Sequence, residues 1–449
     1  MKVSKYNFEV KMNELNKVLM YNAFTSSLAL TEMDKYNKYI AFGEQNRKIE
    51  DLEFIDDLKK GGFLIDDMID ETKEIEIRMM RGRFYSSSLG LTIAPTSNCN
   101  FRCVYCYEKD VIKNRAMTQE VQDKIIDLVK EQVPRLTDLS ITWYGGEPLL
   151  ALDIIEQLSK EFMSICEENH INYSAGIITN GYLLTKEKVE LLNKLKVNFY
   201  QITIDGSREN HNKSRPLVNG GETYDKILNN IFECYDVLPT VSIRVNVDKD
   251  NVSAGDDIAN LLKEKNIIDK VKPYLGKITN DKHDCNMCNN CFNSMEFGRA
   301  DLDYTRRNVE AVDWGNKYPD TKSNFCGADS MTSFVVDSDG KLYKCWSQIG
   351  DKDKAIGDLM TGDLLNRNVY YDLILYNPLE DKCKDCKLIP ICLGGCPYDR
   401  QNNKDEDRCS VYKHSMDDYL QFFARQIIKD RERQGECAAC EESFEAMKG

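Results

Sequence analysis

Cysteine is the residue of this 449-residue chain best placed to do chemistry: there are 17, and their spacing is uneven. Cys99, Cys103 and Cys106 share one short stretch, Asn98-Cys-Asn-Phe-Arg-Cys-Val-Tyr-Cys-Tyr107. A second set runs from Cys326 and Cys345 through Cys383, Cys386, Cys392 and Cys396 to Cys409. The N-terminus, MKVSKYNFEV, has no apolar run of the signal-peptide kind, and no stretch approaches the roughly 18 apolar residues of a membrane span. The chain therefore reads as cytoplasmic, where thiols stay reduced, and metal ligation accounts for so many cysteines better than disulfides do. Three thiolates on one loop can hold three irons of a four-iron cluster and leave the fourth iron open to a small molecule. A structural zinc site wants four ligands, and this loop has no histidine; a zinc loop or three buried thiols is the alternative.

The elements that must position these thiols follow from the apolar pattern. Strand-like runs at 89–95, 139–144, 173–179, 198–204, 241–247 and 271–276 alternate with helical patterns at 118–133, 151–169, 186–196, 223–236 and 255–265. In the first helix Val121, Ile125, Leu128, Val129 and Val133 share one face, and Thr118 is placed to cap it. Strand and helix alternating at this spacing predict parallel units of an α/β fold, an open partial (β/α)6 barrel over 86–276. Chemistry in such barrels sits at the C-terminal strand ends. The cysteine triplet follows the first strand, Gly145-Gly146-Glu147-Pro148 the second, Thr179-Asn180-Gly181 the third and Thr203-Ile204-Asp205-Gly206 the fourth.

The C-x3-C-x2-C spacing, with aromatic Tyr105 before the last cysteine, resembles the signature of the radical S-adenosylmethionine (SAM) superfamily. That resemblance implies a [4Fe-4S] cluster on Cys99, Cys103 and Cys106 whose open iron chelates the methionine moiety of SAM. It implies that Gly145, Gly146 and Glu147 receive the ammonium group. Asn180 and Thr203 become candidates for ribose and carboxylate contacts, and Arg244 for pairing with the carboxylate; ordinary turns and a structural ion pair are the plainer readings. The seven later cysteines, with Gly340 between the first two, resemble the SPASM extension of radical enzymes over 326–412. It implies two auxiliary clusters, one on Cys383, Cys386, Cys392 and Cys409, the other on Cys326, Cys345 and Cys396. The latter lacks a fourth ligand in this pattern: either Cys285, Cys288 or Cys291 in the connecting region 277–325 supplies it or that iron is open, and a third auxiliary site or solvent-exposed thiols are the other readings of the triplet; zinc ribbons are the alternative for the whole region. Cys437 and Cys440 are a redox pair or idle, and Cys166 and Cys234 read as buried thiols within helices.

Residues 1–85 have no cysteine. A strand at 4–10, a short helix or turn at 13–18, helices at 31–41 and 50–60, and Gly61-Gly62 before an apolar triplet suggest a small winged-helix-like unit. It resembles the leader-binding domain of radical peptide maturases, with an exposed strand free to accept a peptide by strand addition; a cap on the barrel is the alternative. Residues 413–449 read as a C-terminal helix and tail. The net charge of −14 argues against a nucleic-acid surface. The expected activity is maturation of a ribosomally made precursor peptide: hydrogen abstraction by a 5′-deoxyadenosyl radical, then a cysteine thioether cross-link. Carbon–carbon cross-linking and epimerisation are alternatives, as is formylglycine formation of the anaerobic sulfatase-maturating kind; an electron carrier is the non-enzyme reading. An external donor such as flavodoxin or ferredoxin is implied. No general base stands out among Asp205, His211 and Arg215.

Overall fold

The computed structural model describes residues 1–45, 48–110, 112, 114–278, 291–380, 382–402, 409–434 and 445–448. Six strands, Ser88–Ile93, Asp138–Trp143, Asn172–Thr179, Val197–Thr203, Thr240–Val247 and Val271–Lys277, pair in chain order, all parallel. The expected helices between them are present as Gln119–Gln132, Leu152–Glu168, Lys186–Lys194, Tyr224–Cys234 and Ala254–Glu264. Hydroxyl caps start several helices: Thr118 accepts from the Val121 amide, Thr185 from Lys188 and Ser207 from Asn210. Beyond the sixth strand, helix Ser294–Arg307 lies in the region expected only to connect, and its Tyr304 packs against Gly255.

Alternation along the strands explains why the barrel has a usable inside. Leu89, Leu91 and Ile93, and likewise Leu139, Ile141 and Trp143, are buried in one core with Val121, Ile125, Leu158 and Phe162 of the helices. Each such side chain contributes about 1.5–3 kcal/mol through burial. The residues between them are mostly small or polar and stay open: Ser140 and Ser174 are exposed, and Thr142, Gly176, Gln201 and Ser242 half-buried, with Ile178, Phe199 and Tyr274 the larger members of that face. A closed eight-strand barrel fills its interior with branched apolar side chains; here that face is left for something else.

The sheet continues past the first barrel strand. Ser333–Val336 pairs parallel to Ser88–Ile93, with Phe334 beside Leu91, and Lys341–Tyr343 and Gly357–Asp358 add antiparallel, making nine strands. The tight turn between the first two of these needs Gly340 at φ +82°. Asp337 braces it by accepting from the amides of Asp339 and Lys341, each at 2.9 Å. The segment between Cys326 and Cys345 is thereby hydrogen-bonded into the barrel sheet.

The N-terminal unit has more strand than expected. Asn7–Met12, Lys17–Asn22 and Ser27–Glu32 form an antiparallel meander, followed by helices Met33–Gln45, Leu52–Lys60 and Glu71–Phe84. The helical turn at 13–18 is only Asn13–Leu15, and the strand placed at 4–10 begins at Asn7. The middle strand, Lys-Val-Leu-Met-Tyr-Asn, shows no alternation because both its faces are covered. Leu19 and Tyr21 pack with Tyr419, Leu420 and Phe423 of helix Met416–Gln434 on one side, and Val18 and Met20 with Tyr39, Phe54 and Leu58 on the other. The strand expected at 4–10 is Asn7–Met12, at one edge of the sheet; on the other side of the meander lies Ser27–Glu32. Its edge pairs antiparallel with the chain's own Glu445–Lys448, Leu30 standing beside Glu445 and Ala29 beside Ala446. No helix among the described residues is long and apolar enough to cross a membrane.

Deleting residues 445–449 should therefore speed amide hydrogen exchange at Leu28–Leu30 while the central strand Lys17–Asn22 stays protected; exchange followed by mass spectrometry reads both in one experiment.

Candidate active site

The first cysteine loop leaves strand Ser88–Ile93 at its C-terminal end and is zipped to the segment after the fourth strand. The Arg102 amide donates to Pro216 O at 2.9 Å and the Val104 amide to Ser214 O at 3.0 Å. Phe101, 1% exposed, anchors the loop edge-on to Tyr182 with ring centroids 5.8 Å apart. Burial pushes the Cys99 and Cys106 thiols up to about 12 and raises Cys103 too. Thiols so desolvated keep their protons until a metal displaces them.

The Gly-Gly-Glu-Pro turn lies directly on this loop. Gly145 is at φ +101°, and a Cβ on Gly146 would come within 2.2 Å of Asn98 O. The Glu147 amide donates to the same Asn98 carbonyl at 2.8 Å. Only glycine lets the second strand end approach the cysteine loop this closely. The Glu147 side chain, fully buried, accepts from Thr179 Oγ1 at 2.6 Å, the Asn180 amide at 2.8 Å and the Leu149 amide at 3.1 Å. Burial pushes its carboxyl up while those hydrogen bonds pull it down. Asn180 Nδ2 in turn donates to Asn100 Oδ1 at 2.8 Å. The buried Nδ2 of Asn100 has no protein partner, a donor left for a ligand.

A second network crosses to the fourth and fifth strands. Tyr105 Oη donates to Asp205 Oδ2 at 2.5 Å and receives Arg215 Nη1 at 2.9 Å and Asn246 Nδ2 at 3.0 Å. Asp205 also takes Ser214 Oγ at 2.8 Å and Asn246 Nδ2 at 3.2 Å. Arg244 Nε donates to Asn246 Oδ1 at 2.8 Å, and Thr203 is its neighbour in the parallel register. His211 is fully buried, and Nδ1 accepts from the Asp205 amide at 3.1 Å. Burial, with Arg215 beside it, pushes the imidazole down to about 3, so it stays neutral. His211 thus holds the strand end in shape. Asp205 and Arg215 are both committed to Tyr105. The part played by Asn246 was invisible in the sequence, since nothing distinguishes an asparagine in VSIRVNV from an ordinary strand residue.

The two cysteine regions meet at an aromatic pair. Tyr144, just before the glycine turn, stacks on Trp346, just after Cys345, with centroids 5.5 Å apart and planes at 22°. Tyr144 lies within electrostatic reach of Cys106, Arg244 and Cys345. Cys326 Sγ accepts from the Ala328 amide at 3.4 Å, and burial pushes Cys326 and Cys396 up to about 11. Cys383, Cys386, Cys392 and Cys409 line one cavity of about 630 Å³. Cys291 is half-buried; Cys285, Cys288, Cys437 and Cys440 lie outside the described residues. Cys166 and Cys234 are buried in helices, at 2% and 1% exposure. Among the described residues no three cysteine, histidine or acidic side chains converge on a point that a single metal ion would fill. Thiolates that each hold a different iron of a cube stand further apart than ligands crowded around one ion. The donor chemistry, the four-cysteine cavity and the desolvated thiols all fit iron–sulfur clusters, and the fit is poorer for zinc.

Comparison with known proteins agrees with this geometry. Residues 93–262 match the family model of the radical SAM superfamily. A cysteine-type anaerobic sulfatase-maturating enzyme of Clostridium perfringens is 25% identical over 370 residues, covering 76% of this chain and 97% of that protein. The solved structure of native anSMEcpe with bound AdoMet and the Kp18Cys peptide superposes with a TM-score of 0.60 at 21% identity, covering 77% of this chain and 99% of that one. The structure of Streptococcus suis SuiB bound to precursor peptide SuiA gives a TM-score of 0.53 at 16% identity, over 92% of this chain and 99% of that one.

A Gly146→Ala chain must push the cysteine loop away and should lose about four of the roughly 12 irons that three clusters carry. Gly315→Ala, whose new Cβ would meet nothing nearer than 3.5 Å, should retain all of them; iron and sulfide analysis after anaerobic reconstitution makes the comparison.

Proposed function

Starting from a chain that carries a radical SAM domain within the fold of the SPASM-type maturases, we propose that it matures a ribosomally made precursor peptide by forming a cysteine thioether cross-link. When bound to Cys99, Cys103 and Cys106, a [4Fe-4S] cluster supplies the electron that splits the sulfonium of SAM into methionine and a 5′-deoxyadenosyl radical. Gly145 and Gly146 bring bare backbone to the place where the methionine ammonium sits, and buried Glu147 ties that turn to Thr179 and Asn180. Asn180 and Thr203 at consecutive strand ends, and Arg244 beside Thr203 within the fifth strand, are the candidates for ribose and carboxylate. The Tyr105–Asp205–Arg215–Asn246 network fixes the last cysteine's neighbour without offering a mobile proton. The half-open lumen receives the peptide, whose own bulk would then shield the radical from water.

The stoichiometry balances. SAM and a peptide bearing one C–H and one S–H become methionine, 5′-deoxyadenosine, a peptide with a C–S bond and one proton. One electron starts the turnover, and one is released when the bond forms. A donor of the flavodoxin or ferredoxin class therefore primes the enzyme, and an auxiliary cluster is the natural acceptor of the returned electron. The Cys326–Cys345–Cys396 site, three cysteines where a cube has four corners, suits a substrate thiolate.

The observation that carries peptide maturation is the N-terminal strand–helix module packed on the auxiliary cysteine region: the fold likeness to SuiB spans 92% of the chain, that to anSMEcpe 77%. A leader peptide adding to this sheet has Asn7–Met12 as its edge, while adding at Ser27–Glu32 requires displacing Glu445–Lys448. Formylglycine formation is the second reading, supported by 25% identity along 97% of the Clostridium enzyme.

Incubated without oxygen with dithionite and SAM, the reconstituted chain should release 5′-deoxyadenosine, and Cys103→Ala should abolish that release. With the precursor peptide encoded beside it, mass spectrometry should show two hydrogens lost, the sulfur retained and one thiol no longer alkylated. Loss of sulfur with gain of oxygen would establish the formylglycine reading instead. Loss of two hydrogens with every thiol still alkylated would mean a carbon–carbon link, and inversion at unchanged mass an epimerase.

A further inference from the structure

The two auxiliary cysteine sets sit in different electrostatic surroundings. Beside the four-cysteine set, Lys413 Nζ reaches Cys386 Sγ at 3.7 Å, but that ammonium is exposed and water screens it. Beside Cys326, Cys345 and Cys396 the positive charge is withdrawn from water: Arg83 and Lys344 are buried and Arg400 half-buried. Arg83, 4% exposed, comes from the N-terminal helix Glu71–Phe84 and donates Nη1 to Tyr376 O at 2.6 Å. Its Nη2 faces Asp329 Oδ2 at 3.5 Å. Asp329 is itself held by the Cys326 amide at 3.1 Å. Arg400 follows Cys396 in the helix Pro397–Asn402. Its guanidinium stacks 3.9 Å above the Tyr376 ring, and Nη1 donates to Gly395 O at 2.6 Å.

What these arginines leave over points to a ligand. Arg400 Nη2 and Arg83 Nε and Nη2 are buried and make no hydrogen bond with the protein. Arg400 interacts electrostatically with Cys326, Cys396 and Asp329, and also lines the four-cysteine cavity. A buried guanidinium donor without an acceptor is costly, and cluster or thiolate sulfur is the acceptor this neighbourhood would offer. Hydrogen bonds to sulfur and buried positive charge both favour the reduced, more negative state of a cluster.

We propose that Arg400 is a positioning residue for the cluster at Cys326, Cys345 and Cys396, donating its unused Nη2 to sulfur and holding that cluster's reduction potential up, with Asp329 as the opposing charge. Arg400 borders both cysteine sets, but buried Arg83 does not line the four-cysteine cavity, and the potential difference so created makes this site, rather than the four-cysteine one, the place where an electron released by the substrate settles. The inference rests on the reading that these cysteines hold a cluster.

Redox titration of the reconstituted full chain, followed by electron paramagnetic resonance, tests it. Arg400→Gln should move one auxiliary midpoint to more negative potential by about tenfold in the one-electron equilibrium constant, roughly 59 mV. Arg400→Lys should recover part of that shift, and Asp329→Asn should move the same midpoint the opposite way, a sign that general loosening of the site does not produce. Iron content separates the two levels of failure. If Cys326→Ala costs no iron, the cluster reading falls. If iron is full and Arg400→Gln leaves the midpoint in place, the proposal falls. Should Arg400→Gln fail to load, Asp329→Asn decides: an unmoved or more negative midpoint overturns the proposal.

Discussion

Ser88–Ile93 is hydrogen-bonded on both flanks, to Asp138–Trp143 on one side and Ser333–Val336 on the other, and this double pairing is the constraint on which the rest depends. The C-terminal end of the strand releases the first cysteine loop. Its outer neighbour belongs to the segment running from Cys326 to Cys345. Two cysteine regions more than two hundred residues apart in the chain are therefore fixed by one continuous ladder. The Tyr144–Trp346 stack fills the seam that the ladder creates.

Around that frame, buried polar groups do the positioning. Glu147 ties the second strand end to the third, and Asp205, Tyr105 and Asn246 tie the cysteine loop to the fourth and fifth. Each buried acceptor has its donors, so the networks rigidify the strand ends rather than strain them. Among the buried donors left unpaired, Asn100 Nδ2 and the guanidinium nitrogens of Arg83 and Arg400 belong to residues bordering the cysteine sites, while Trp143 Nε1 and Tyr200 Oη lie in the barrel core.

Much of this was legible in the sequence. The barrel strands and helices fell within a few residues of their expected places because each has one buried face, which makes its period visible. Gly145 and Gly146, singled out in the sequence for the ammonium group, meet the backbone leading into the cysteine loop, a contact no local pattern announces. The N-terminal strand Lys17–Asn22 was illegible because both its faces are buried, which erases the alternation. The nine-stranded sheet was hidden for a different reason. Pairing of Ser333–Val336 with Ser88–Ile93 is a long-range contact that no local pattern encodes. The arginines were equally silent, since Arg83 and Arg400 matter only through neighbours distant in sequence.

The inner face of the barrel has a bearing on how such a protein changes over time. Ser140, Ser174, Gln201 and Ser242 give the fold little of its stabilisation, because the packed core lies on the opposite face with the helices. Replacing them costs little folding free energy, while the strand-end residues are tied into buried hydrogen-bond networks whose disruption is costly. Substrate preference can thus drift through the lining of the chamber with the radical-generating apparatus held constant, a separation of the adaptable from the fixed within a single domain.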